Sequence, residues 1–476
     1  MPASAPKAVQ QAAAIRAKGG VDRIAAGLFY VLIALVIGSP LPLGSVYPMS
    51  WWIIAGITGL LLLAYGAMQL RPNAVPMERL GPTWPWFLPF AAAIAWIAIQ
   101  ASAFTPEAWH HPLWRAAGAA LGTPVSGAIS IDPFNTVSAA IRLLSYAGIF
   151  WLAFQLCHAR ERAEMAFLGL SVAAFAYACY GLLDHFTGAQ MVLWFPKKYY
   201  LNSVTSTFIN RNNYATYAGL GLVCASGMLI KQLSSSAAGA AAPRDWLVNL
   251  LKLLSSWRGV LLPGWFALIT ALLLTDSRAG VLSSFAGLAA LIAAVAASRT
   301  LRRRHVMAIG GVIIVGTVIF IGFSGGPVAE RIARTELENE GRPLVYEITR
   351  QQIARRPWLG TGYGTFEEVF RLAQTEQIKG HWDKAHNTYL ENALELGIPA
   401  AFALVLSALA LLARCILGVN RRRRDAVYPA IGIGATTLVA CHSMVDFGLQ
   451  IPAIAATYAF IMGAAAVQSW PRRRSG

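Results

Sequence analysis

The sequence predicts an all-α polytopic membrane protein with about 12 transmembrane helices and one long loop of short amphipathic helices before the tenth. Three observations predict it. Hydrophobic residues make up 56 % of the 476 residues and charged residues only 13 %, with a mean hydropathy of +0.52. A soluble globular chain carries nearer a quarter charged. Apolar stretches of roughly twenty residues, the length that crosses a bilayer, recur along the chain. The basic excess, a formal net charge of +17, is gathered in short runs between those stretches.

The expected spans are 24–38, 51–70, 84–103, 137–157, 165–184, 213–231, 259–275, 279–298, 306–323, 399–416, 427–443 and 452–468. A basic segment precedes the first, and no small-residue cleavage site follows it, so that run is expected to stay as an uncleaved span. The basic runs "RTLRRRH" (299–305), "NRRRR" (420–424) and "PRRRSG" (471–476) suit cytoplasmic loops facing anionic lipid. With the N-terminus inside, loops 71–82, 158–164, 232–258, 299–305 and 417–426 become cytoplasmic and hold nearly all the arginine clusters. Both termini then lie inside. Loops 39–50, 104–136, 185–212, 276–278, 324–398 and 444–451 become periplasmic. This distribution argues against nucleic-acid binding. The five cysteines lie within or at the ends of apolar segments and imply no disulfide framework. The expected organisation is a transmembrane region over 1–323, a periplasmic catalytic loop over 324–398 and a second transmembrane region over 399–476.

Within the long loop, Leu344, Ile348, Gln352 and Ile353 fall at helical spacing and predict an amphipathic helix. The "GTGYG" at 360–364 lacks the lysine of a phosphate loop and reads as a turn. In "HNTYLENALELGIPA" (386–400), Thr388 and Glu391 fit a capping box, while Gly397 and Pro399 fit a helix stop.

Four polar groups then fall on one side of the membrane. They are Arg211 before span six, Arg278 in a tight turn, Arg342 with His386 in the long loop, and His442 with Asp446. An arginine at an extracytoplasmic helix end either snorkels to headgroups or faces the bundle interior beside an anion. Asp276 is a local partner for Arg278, whereas Arg211 has no acid near it in sequence. Two guanidinium forks facing one cavity suit a diphosphate, each charge-assisted bond being worth roughly 1.5–3 kcal/mol. His386 stands just before a helix start, where the positive end of the dipole favours a neutral imidazole that can accept a hydroxyl proton. Asn387 belongs to that helix start and is also a candidate substrate contact. Lys197 and Lys198 are candidates for a headgroup contact or for guiding an anionic lipid donor. No acid cluster has metal-binding spacing, and "ELENE" (336–340) reads as a solvated face, so no metal or cofactor is expected.

At these residues the chain resembles the O-antigen ligase superfamily of ligases, O-antigen and exopolysaccharide polymerases, and O-oligosaccharyltransferases. The resemblance runs from about 200 to 455 and rests on "TFINRNNYA", "TDSRAG", "RQQIARRPWLGTGYGTF" and "HNTYLENALELG". His386, Asn387 and Gly397 follow the family's spacing, whereas Ala400 stands where Gly, Thr or Tyr is usual. The resemblance implies an inner-membrane glycosyltransferase that takes a glycan from undecaprenyl diphosphate at the periplasmic face, without nucleotide or metal, and inverts the anomeric centre. Its acceptor would be a sugar hydroxyl of lipid A-core or of a growing polysaccharide. Carried over by position, His386 would be the base, Arg211 and Arg278 would hold the diphosphate, and Arg342 would be the loop arginine. Ligase and polymerase share these motifs. A flippase of lipid-linked glycan stays open as a second class, against which stand the absence of a two-fold repeat and the gathering of polar residues at one face.

Overall fold

The computed structural model describes residues 7–71, 77–78, 81–238, 256–298, 311, 341–378, 380–422 and 425–470. The expected span at 306–323 and the acidic run at 336–340 lie outside them. The described residues form α1 (Lys7–Gly38), α2 (Pro48–Gln69), α3 (Leu88–Ala101), α4 (Pro112–Leu121), α5 (Pro133–Leu156) and α6 (Arg160–Thr187). A hairpin of β1 (Met191–Val192) and β2 (Phe195–Pro196) follows, then α7 (Arg211–Ala238), α8 (Leu261–Leu273) and α9 (Arg278–Ala297). Next come α10 (Arg342–Arg355), α11 (Phe366–Ala373), α12 (Thr388–Leu396), α13 (Ile398–Arg421), α14 (Val427–His442) and α15 (Pro452–Val467). Every expected span other than 306–323 falls on one of these helices.

Among the described residues six helices are long and apolar enough to cross a membrane: α2, α3 with the turn before it, α5, α6, α9 and α13. The α8 segment, α14 and α15 are apolar but shorter. Around α7, whose residues from Asn213 to Met228 are buried, pack α6, α8, α9 and α14. Small residues permit close approach between such helices. A Cβ on Gly287 of α9 would come within 2.7 Å of Gly434 O on α14, and one on Gly434 within 2.8 Å of Gly287 O. Those two backbones meet where neither carries a side chain.

The connections sort to two ends of the bundle, as alternate crossings require. At one end Lys231 and Arg258 pair with Glu164, Arg160 pairs with Asp425, and Gln468 reaches the carbonyls of Cys157 and His158. At the other end Val204 N donates to Leu274 O, Ile131 N to Thr361 O and Thr388 N to Ser443 O. Gly44 packs there against Phe208 and Ile451.

The long loop carries a small core of its own. Val345 and Ile348 of α10 pack with Phe366, Val369 and Phe370 of α11 and with Leu394 of α12. The expected amphipathic helix is therefore α10, and α11 is an addition that sequence periodicity did not reveal. The 360–364 segment is the expected turn. Gly360 and Gly362 adopt φ of +68° and +108°, and a Cβ on Gly360 would meet Glu395 O at 2.3 Å. In that conformation the N–H groups of Thr361 and Gly362 reach the last carbonyls of α12. Those carbonyls are orphans of any helix end and need such partners.

Candidate active site

Three of the four expected polar groups stand at helix starts, and the fourth, His442 with Asp446, stands at the end of α14 and in the turn after it. Arg211, Arg278 and Arg342 are each the first residue of a helix, α7, α9 and α10. His386 immediately precedes Asn387, the cap of α12. The cap thus lies one residue earlier than the Thr388 that the capping-box pattern suggested. Asn387 Oδ1 accepts from Tyr389 N and Leu390 N, while Asn387 Nδ2 donates to Met444 O. Both ends of that amide serve the backbone. Positive helix ends concentrate partial positive charge, so a place where several meet suits an anion.

Asp446, in the turn after α14, is the hub. Its side chain is 1 % exposed, and Oδ2 lies 3.8 Å from Nδ1 of His386, an ion-pair distance longer than a hydrogen bond. Asn212 Nδ2, beside Arg211, donates to the same Oδ2 at 2.7 Å, and Phe447 N donates to Oδ1. Burial would raise this carboxyl, yet the facing His386, the nearby His442 and the Phe447 N–H hold it below the usual carboxylate range. It is an anion aimed at the imidazole. Arg342 Nη1 donates to Val445 O at 3.1 Å, one residue away. Thr216 Oγ1 and His442 Nδ1 lie 2.7 Å apart behind it.

Several elements fix His386. Its φ of +51° is uncommon for a residue with a side chain. Tyr346 of α10 donates its hydroxyl to His386 O at 2.9 Å, and Glu391 accepts from Ala385 N at 2.8 Å. The ring lies edge-on to Phe447 and Trp382 with centroids 4.8 and 5.6 Å away. Its side chain remains 19 % exposed, so one edge is open to a substrate.

On the arginine side, Arg211 lies over the Tyr200 ring at 5.1 Å, with Nη1 3.5 Å from Ser203 Oγ. Ser203 Oγ in turn donates to Asp276 Oδ2 at 2.9 Å. Asp276, the acid expected to partner Arg278, is thus tied through Ser203 toward Arg211. Ser277 caps α9 by accepting from Gly280 N, which sets Arg278 at its exposed start. A chain of contacts therefore runs from Asp276, two residues before Arg278, through Ser203, Arg211, Asn212 and Asp446 to His386. Lys197 is placed differently. It is buried in an ion pair with Asp184 at 2.6 Å that staples the hairpin to the end of α6, and Asp184 Oδ1 also accepts from Met191 N. Lys198 is exposed on the same loop.

Behind α12 sits a second ionisable group. Glu391 lies 3.7 Å from Lys384, and Glu395 accepts from Phe366 N. Burial raises both carboxyls above the ordinary glutamate range, and for Glu395 the neighbouring Glu391 adds to the rise. Among the described residues no group of three His, Cys, Asp or Glu is gathered to hold a metal.

With this geometry in view, a family model described as O-Antigen ligase matches residues 264–405. This segment is similar to the O-antigen ligase domain. It takes in Arg278, Arg342 and His386 and runs from α8 into α13. No curated protein matches the chain. Members of the family are membrane enzymes acting on lipid-linked glycans, and the apolar helices here make the chain a multi-pass membrane protein. Arg211 and Asp446 lie outside the matched O-antigen ligase segment, and the fold alone brings them to His386.

Sequence reasoning passed over Ser203, Asn212 and Tyr346, and it noted Asp446 without giving it a role. Asn212 stood beside Arg211 in "NRNNYA", a polar run entering an apolar helix that was signal enough for a closer look. Tyr346 carried no comparable mark, because it lies on an ordinary amphipathic helix.

Proposed function

We propose that the chain transfers a glycan from undecaprenyl diphosphate to a sugar hydroxyl at the periplasmic face, as an O-antigen ligase. The observation that carries this reading is the set of contacts that brings Arg211 and Arg342, each at a helix start, to the His386–Asp446 pair, with Arg278 starting its helix two residues after Asp276. In the reading, residues 324–398 form the catalytic loop between two transmembrane regions. His386 takes the proton of the acceptor hydroxyl, and its oxygen attacks C1 of the donor sugar from the face opposite the leaving group. The bond from C1 to the diphosphate oxygen breaks with its electron pair, and the anomeric centre inverts. Asp446 stabilises the imidazolium that forms. Arg211 and Arg278 stabilise the charge growing on the diphosphate, with Arg342 as a third cation. These residues supply the acid–base and electrostatic parts of the reaction without a metal or cofactor.

A polymerase acting on a lipid-linked acceptor would use the same groups. The placement of Arg211, Arg342, His386 and Asp446 at an end of the bundle supports a transferase over a flippase, whose ionisable groups are expected near mid-membrane. The glycan that accumulates in a deletion strain separates the three. Finished polymer left on undecaprenyl diphosphate is the expected result. Single lipid-linked repeat units would assign a polymerase, and retention on the cytoplasmic side a flippase.

A further inference from the structure

A cavity of about 1320 Å³ lies away from His386, between the 105–127 segment with α4 on one side and the end of α10 with residues 356–373 on the other. Drug-sized ligand pockets run about 300–1,000 Å³, so this one has room for an oligomer. Its charged lining is Arg115, Arg355 and Arg356 against Glu107. Arg356 is pinned across the cavity floor, donating to the carbonyls of His110 and Trp109, while its Nε is buried with no hydrogen-bond partner. Nδ1 of His111 accepts from Leu113 N, which places the proton of the neutral ring on Nε2 as a donor. Burial, then the charge of Arg356, pushes that ring down to about 4, so it is neutral near pH 7. Trp114 is held by its Nε1–H on Ser130 O, and Trp358 is 70 % exposed at the cavity edge. Fixed donors, an excess of guanidinium groups and open indole faces together suit a ligand with carboxylate or phosphate groups on flat, partly apolar rings.

Helix α10 measures how far this cavity stands from the chemistry. Tyr346 bonds the backbone of His386, and Arg355 lies nine residues further on, about 14 Å at 1.5 Å per residue. A few linked sugar rings cover that distance. We propose that the cavity is a second binding site, which holds an acidic oligosaccharide segment several units away from the bond being made. It rests on the transferase reading for its purpose and on its own lining for its chemistry. A chain gripped there would dwell at the site, so long glycans would be used at lower concentration than short ones.

The test uses the full chain in nanodiscs, with short and long oligogalacturonates as acidic probes and neutral maltooligosaccharides as controls, read by tryptophan fluorescence. Acidic probes are expected to bind more tightly with length and less tightly with added salt. Arg355→Glu and Arg115→Glu should each weaken the long acidic probe by about tenfold or more. Both side chains are exposed, so folding is not at stake. Trp358→Ala should weaken acidic and neutral probes alike. Binding that ignores length, or that all three variants retain, overturns the proposal. His386→Ala should bind the probes as wild type does. A wild-type chain that binds them yet transfers no glycan would therefore sink the transferase reading alone. In transfer assays the arginine variants should raise KM for long acidic glycans and leave kcat unchanged, and an unchanged KM counts against the site.

Discussion

Replacing Asp446 by Asn removes one charge and almost no volume, and it asks whether the buried carboxylate acts through His386. Two unit charges about 4 Å apart interact by about 4 kcal/mol at an effective dielectric constant of about 20. The observed separation is 3.8 Å, with the carboxylate 1 % and the ring 19 % exposed. Solvent reaching the open edge of the ring screens part of this, and halving it leaves about 2 kcal/mol for the imidazolium formed in the transition state. That corresponds to about a 30-fold loss in kcat. The asparagine oxygen can still accept from Asn212 or from Phe447 N, so the turn should hold and the melting temperature should stay near wild type. The assay is single-turnover transfer from pre-bound undecaprenyl-diphosphate glycan in nanodiscs, with donor affinity measured separately. Donor affinity should be unchanged. A folded Asp446→Asn protein with wild-type kcat would refute the pairing, and an equal loss of donor affinity would place Asp446 on the diphosphate side instead.

Arg278→Lys keeps the charge and loses the fork, so donor binding should weaken by about tenfold. His386→Ala should bind donor normally and lose about 10²–10⁴-fold in rate, and a pair of variants failing in the same way would undo the division of roles. Cysteines placed at 211, 278 and 386 should label from the periplasmic side, and cytoplasmic labelling of any one would invert the topology. EDTA should leave transfer intact, whereas loss restored by Mg²⁺ or Mn²⁺ would show a metal requirement. The fold holds Glu395 protonated, since burial and then Glu391 raise its carboxyl to about 8, above an unfolded value near 4.3. Its stabilising effect is complete below the unfolded value and is lost as pH rises toward the folded one. Melting temperature in detergent should therefore fall between pH 5 and pH 9, and Glu395→Gln should flatten that slope if the carboxyl is its source.

The positions of the bundle helices were legible because a bilayer demands about twenty apolar residues per crossing, a local property of the chain. The turn at 360–364 and the stop at Gly397 were legible for a similar reason, since glycine alone adopts positive φ there without strain. Cap placement missed by one residue, because Asn387 and Thr388 are both capable caps. The choice fell to Thr388 Oγ1 donating to Asp446 O, a contact 58 residues away.

Arginine and histidine in apolar surroundings pointed to a candidate site by themselves, because burying a charge is costly without a partner. Their partners were beyond reach of the sequence. Asp446 meets Asn212 across 234 residues, and Ser203, which Arg211 approaches, meets Asp276 across 73. Lys197 resembled a free surface cation in "FPKKYY", yet Asp184 buries it. The cavity beside α4 was equally hidden, since its walls come from segments more than 200 residues apart. Hydrophobic length is written along the chain and can be read there. Which charge meets which is decided only when helices pack, because an ion pair depends on distances in space that no local pattern encodes.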